Sequence, residues 1–187
     1  MTTVQITYFV HGTTTDNEKG LATGWLSGEL SDVGVKQAKE LGVLASNRNF
    51  DVIFCSDLKR SVDSAKLGFG KKYKIIQDRR LRECNYGDFT GKPSKEFKSD
   101  MAHYVENSFP NGESYRDVEK RIADFLDTLK REYCGKNIAI VAHQAPQLAL
   151  DVLIKGKSWG QALDEDWRKR KAWQLGWEYE LKCQNKK

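Results

Sequence analysis

Two histidines in matching local settings, His11 and His143, are the residues of this 187-residue chain best placed by type and spacing to do chemistry. His11 follows the apolar run Gln5-Ile-Thr-Tyr-Phe-Val10, and His143 follows Ile138-Ala-Ile-Val-Ala142. Such runs read as buried strands. In an open α/β sheet, ligands bind where the chain leaves the carboxyl ends of the strands. Two imidazoles delivered there could share one site, one as nucleophile and one stabilising charge. A neutral imidazole can attack phosphorus and form a covalent phosphoenzyme. That reaction needs N–H or cationic donors for the equatorial oxygens and an acid for the leaving alkoxide. Candidates stand after the same strand ends: Gly12, Thr13, Thr14 and Asn17 after the first, Ser56-Asp-Leu-Lys-Arg60 after a second, and Leu81-Arg-Glu83 after a third. The remaining histidine, His103, lies in a charged helical stretch.

The elements that must position these residues are legible in outline. Apolar runs bounded by turn signals predict strands over 5–10, 52–55, 74–76 and 138–142. Ser31 can cap a helix running to about Leu41, a second helix follows Asp57, and another starts near Ser94. The clearest helix runs from Ser114 to Tyr133, with Val118, Ile122, Phe125, Leu129 and Tyr133 on one side. Pro146 suits the first turn of a helix through about Leu153. Strands alternating with helices predict a three-layer α/β/α arrangement with a mostly parallel central sheet. In the tail, Trp177, Tyr179 and Leu181 alternate with charged residues, the period of a half-buried antiparallel edge strand. With no repeat or linker, residues 1–187 read as one domain.

Composition narrows the partners. Lys and Arg total 31 against 26 acidic residues, a net charge of +5. This mild, scattered excess suits a small anionic substrate and gives little support to nucleic acid. The densest basic cluster, residues 168–171, adjoins Asp164, Glu165 and Asp166 and reads as a solvated helix face. Cys55, Cys84, Cys134 and Cys183 form no CxxC pair, so neither a zinc knuckle nor a disulfide framework is expected, and four reduced thiols are. Cys84 reads as a small buried apolar residue. The first residues enter a strand directly and no apolar run approaches membrane-spanning length, which predicts a cytoplasmic protein with no membrane partner.

The ordered motifs resemble those of the histidine phosphatase superfamily, the phosphoglycerate mutase-like fold. That family opens with Arg-His-Gly-x-Thr and an Asn three residues on; here stand Val10-His11-Gly12-Thr13-Thr14 and Asn17. Ser56-Asp57-Leu58-x-Arg60 with Ala65, Leu81-Arg82-Glu83 with Gly87 and Gly91, Pro110-Asn-Gly-Glu-Ser114, and Ala142-His143 follow in family order. The resemblance implies His11 as the phosphorylated nucleophile, Arg60 and His143 as phosphoryl-binding groups, and Glu83 as general acid and then base. Gly12, Thr14, Asn17, Thr23, Gly24 and Gln144 would contact phosphate or substrate. No metal or other cofactor is implied. Residues 92–112 would form a small helical cap over the pocket, Phe97, Met101, Tyr104 and Val105 making its apolar side and mostly packing on the body.

Two positions depart from the family pattern. Val10 replaces the arginine before the first histidine, and Gln144 replaces the usual glycine after the second. An arginine forks onto two phosphate oxygens, and hydrogen bonds to charged groups contribute roughly 1.5–3 kcal/mol. Losing one costs about one to two powers of ten in rate. Lys19, Arg82 and Arg116 are candidate substitutes. The leading expectation is a metal-independent phosphomonoester hydrolase. The alternatives are a phosphoglycerate mutase-type transfer, which Thr23-Gly24-Trp25 favours, and a phospho-ligand-binding protein weakened in catalysis. Only 60 positions separate Glu83 from His143, a short form resembling the phosphatases.

Overall fold

The fold described here is a computed structural model covering residues 2–169 and 176–183. One sheet has the order β3-β2-β4-β1-β5, its strands being β1 Thr3–Val10, β2 Val52–Cys55, β3 Ile75–Gln77, β4 Asn137–Ala142 and β5 Trp177–Lys182. The first four run parallel, and β5 pairs antiparallel with β1 at the edge. β3 lies one residue later than the apolar run predicts. In β5 the alternation survives in full, Trp177, Tyr179 and Leu181 buried and the residues between them exposed.

Period-two alternation splits the central strands between two cores. On one face Ile6, Tyr8, Phe54, Ile138 and Ile140 meet the helices α6 Tyr115–Glu132 and α7 Gln144–Lys155. On the other, Phe9, Ile53, Ala139 and Val141 meet α2 Asp32–Leu44 and α3 Lys59–Phe69. The result is the three-layer α/β/α arrangement. α6 starts where the sequence predicts, Ser114 and Asp117 exchanging a reciprocal cap, a device that satisfies two otherwise orphaned donors. α7 begins two residues ahead of Pro146 and stops at Gly156, whose φ of 70° is the left-handed cap conformation.

The helix expected near Ser94 is a single turn, α4 Lys95–Lys98, followed by another, α5 His103–Glu106. Phe97, Met101, Tyr104 and Val105 pack into the core against Tyr86, Phe89 and Phe109. Two short helices were not anticipated, α1 Thr15–Glu18 and α8 Trp159–Asp164.

The cysteines require a correction. Cys55 and Cys84 are buried free thiols, but Cys134 and Cys183 form a disulfide, with Cα atoms 6.1 Å apart. Both flank the start of β1, where Gly135 N–H donates to Thr3 O and Cys183 N–H to Thr2 O. The 49-residue separation is closed by sheet topology, which residue spacing alone does not reveal.

Candidate active site

Register alone brings the two histidines together. β1 and β4 are parallel neighbours with Val10 opposite Ala142, so the next residue of each strand is a histidine. Their ring centroids lie 5.0 Å apart, and His11 N–H donates to Ala142 O. The Tyr8 hydroxyl pins the second strand end, donating to His143 O at 2.7 Å and accepting from His143 N at 2.9 Å.

Hydrogen bonding fixes which ring nitrogens are available. His11 Nδ1 lies 2.7 Å from Gly12 O. A carbonyl only accepts, so Nδ1 carries the proton and Nε2 keeps its lone pair. Desolvation, reinforced by the nearby Arg60 charge, pushes the His11 pKa down to about 3, so the ring is neutral near pH 7. His143 is fully buried, and burial likewise drives its pKa well down. Its Nε2 sits 2.6 Å from Ser56 Oγ, and Nδ1 has no partner among the described residues. Ser56 Oγ also accepts from Leu58 N at 3.4 Å, and with a second lone pair and its own O–H it can pair with either tautomer of His143.

Arg60 comes from the first turn of α3. Taken alone it would read as an exposed helix residue; here it is 2 % exposed. Its Nη1 and Nη2 donate to Leu26 O and Gly24 O, both at 2.8 Å, and its Nε points at His11 Nε2 from 3.3 Å. Glu83, 8 % exposed, faces the first turn of α7. Oε1 accepts from Cys84 N and Ala145 N, and Oε2 from Gln144 N at 3.2 Å. The His143–α7 junction therefore orients Glu83 as well.

His11, Arg60, Glu83, Asn17, Thr23, Gly24 and Gln144 line a cavity of about 510 Å³ together with Val10 and, from the 92–112 segment, Ser94, Phe97 and Lys98. Gly12, Thr14 and the fully buried His143 are not on that wall. Gly12 packs its backbone against Gly34 of α2, where a Cβ would strike Gly34 O. The Thr14 hydroxyl caps α1 by accepting from Asn17 N. Thr13 lines the cavity in its place, its N–H and O–H both held by Gln37 Oε1.

None of the three candidate substitutes for the missing arginine reaches the wall. Arg82 forks onto Asp57, both contacts at 2.7 Å, and stacks on Trp25. Arg116 pairs with Glu106 and Glu119, and Lys19 is exposed. The basic cluster at 168–171 also needs correcting. Arg168 sits in a turn and lines the cavity beside Trp167, while residues 170 and 171 lie outside the described residues. Sequence reasoning missed the support behind Glu83. Arg121 pairs with Glu113 and donates through Nη2 to Glu83 O at 3.0 Å, while Glu113 accepts from Asn85 N. The signal was Glu113 inside the turn quoted before α6. Among the described residues no three His, Cys, Asp or Glu side chains are grouped to hold a metal ion.

Comparison with known proteins gives a consistent picture. Over 149 residues the chain is 30 % identical to phosphoserine phosphatase 1 of Hydrogenobacter thermophilus, covering 75 % of this chain and 71 % of the relative. It is 29 % identical over 162 residues to a 2,3-bisphosphoglycerate-dependent phosphoglycerate mutase of a Methylobacterium species, covering 78 % of each. A mycobacterial glucosyl-3-phosphoglycerate phosphatase superposes with a TM-score of 0.74 at 26 % identity over 86 % of each chain. The family model of the histidine phosphatase superfamily (branch 1) matches residues 8–172. With that match spanning both strand-end histidines, Arg60 and Glu83, the chain belongs to the histidine phosphatase superfamily, branch 1.

Proposed function

We propose that this protein hydrolyses phosphomonoesters through a phosphohistidine on His11. The observation that carries the reading is the unprotonated Nε2 of His11, fixed by the Nδ1–Gly12 O bond, in a cavity wall that also holds Arg60 and Glu83. In the first step Nε2 attacks phosphorus, the N–P bond forms, and the P–O bond to the leaving group breaks. Glu83 gives that oxygen its proton. In the second step a water oxygen attacks phosphorus and Glu83 takes the water proton. The N–P bond then breaks, freeing phosphate and neutral His11. In this reading Arg60 and His143, the latter with its proton on the unpartnered Nδ1, stabilise the charge that builds on the phosphoryl oxygens, and Asn17 supplies a further donor.

The substrate is a small phosphorylated molecule held under the 92–112 cap, within a single domain and with no nucleic acid or membrane partner. A cytoplasmic setting belongs to the same reading. Among the described residues no helix is long and apolar enough to cross a membrane, but the Cys134–Cys183 bridge weighs against the cytoplasm, where thiols are kept reduced. A mutase reading draws on Thr23 and Gly24, which line the cavity beside Arg60, and product analysis with a phosphoglycerate separates it from hydrolysis.

The test is hydrolysis of an aryl phosphate in chelator-treated buffer. His11→Ala is expected to cut kcat at least about 10³-fold and to abolish acid-labile labelling by a radioactive phosphate donor. Undiminished turnover in that variant removes the phosphohistidine route. Glu83→Gln is expected to lose about 10²–10⁴-fold, more with poor leaving groups than with good ones.

A further inference from the structure

Beyond Arg60, the cavity wall carries two cations among the described residues, Lys98 and Arg168. Lys98 is exposed and ends the single turn α4. Arg168 is anchored differently. Asp166 Oδ1 accepts from both the Arg168 backbone N, at 3.1 Å, and its Nη1, at 3.2 Å. The other carboxylate oxygen, Oδ2, accepts from Gln144 Nε2. Asp166 is itself only 6 % exposed. The guanidinium lies over the Trp167 ring, 4.6 Å from its centroid, and Trp167 packs on Trp177 of β5. A buried carboxylate thus ties the arginine to the residue directly after His143, the same Gln144 whose backbone N–H holds Glu83.

Chemical need and supply match at this point. A phosphoryl group in flight presents three charged oxygens. Arg60 uses one N–H of Nη1 and one of Nη2 on the carbonyls of Leu26 and Gly24, which leaves it two for a phosphoryl group, and Val10 beside His11 offers no side-chain donor. Arg168 has only Nη1 engaged among the described residues, so the rest of its donor fork is available. Its charge also reaches the reacting centre, being among the influences that depress both His11 and His143.

We propose that Arg168 is the second cationic ligand of the transferred phosphoryl group, with Asp166 and Gln144 as its positioning residues. This rests on the hydrolase reading and deepens it. Gln144 becomes the outer arm of a bridge to Asp166, and Arg168 approaches the phosphoryl group from the C-terminal loop, where Val10 leaves a gap.

The test measures inorganic phosphate affinity by calorimetry, and kcat/KM for phenyl phosphate, which carries no second anion. Arg168→Ala is expected to weaken phosphate binding and lower kcat/KM by about 10- to 100-fold. Added guanidinium ion should restore part of the activity, an effect a loss of folding would not show. Arg168→Lys should recover part of the phosphate affinity, and Asp166→Asn should lose affinity without losing the guanidinium. Arg116→Ala, on the surface, should change neither readout. Phosphate affinity within about twofold of wild type in Arg168→Ala overturns the proposal while leaving His11 chemistry intact. A loss confined to 4-carboxyphenyl phosphate also overturns it, by assigning Arg168 to a second substrate anion. Absence of turnover in the unaltered protein would instead count against the hydrolase reading, and the calorimetry would still report on Arg168.

Discussion

Ser56 holds one ring nitrogen of His143: its Oγ lies 2.6 Å from Nε2, and Nδ1 is left without a partner among the described residues. Ser56→Ala removes that contact and leaves a buried ring nitrogen unsatisfied, a loss of about 1–3 kcal/mol in stability. The expected result is roughly a tenfold fall in kcat, with the Nε2 NMR shift of His143 moving from its wild-type value. An unchanged shift would mean that Nε2 makes no hydrogen bond to Ser56. The candidate site residues were legible because each follows a strand or turn signal. Arg168 and Asp166 were not, because charges adjacent in sequence look like a solvated face until folding buries one of them. The packing of Gly12 was hidden for a related reason, since its neighbour Gly34 lies on a helix whose approach no local pattern encodes.

At the scale of elements, the strands were readable because each central one is an unbroken apolar run, and β5 because it alternates. The 92–112 segment was read correctly as helical and apolar-sided, but its helices are single turns; α4 and α5 gain their order from the aromatic cluster around Phe97 and Phe109 more than from helix propensity. The link between the end of α6 and the end of β5 was invisible, and it carries a measurable contribution. Closing a loop of about 50 residues removes roughly 4 kcal/mol of unfolded-chain entropy in the simplest model, with 2–4 kcal/mol typical in practice. Cys134→Ala combined with Cys183→Ala should lower the urea midpoint accordingly, and denatured wild type should titrate two thiols where the double variant also titrates two. Four thiols in the wild type would show the bridge to be open.

For the whole molecule, the two neutral histidines make acid sensitivity an intrinsic property of the fold. Both have folded-state pKa values depressed below the ordinary 6.5. The unfolded chain therefore binds protons that the folded chain refuses once pH drops below about 6.5. Stability is fully present above that value and falls as pH descends toward about 3 for His11, by at most roughly 1.4 kcal/mol per pH unit for each ring. Urea unfolding between pH 7.5 and 4.5 should show this slope, and His11→Gln should flatten it by about one proton. An unchanged slope would mean that His11 protonates without unfolding.

The antiparallel placement of β5 has a practical consequence. Thr2 and Cys183 are joined by a backbone hydrogen bond at the amino end of β1, whereas the cavity lies at its carboxyl end, eight residues and roughly 26 Å along the strand. A surface, a fusion partner or a peptide linker attached beside either residue approaches the molecule from its rear, leaving the cavity mouth to diffusing substrate.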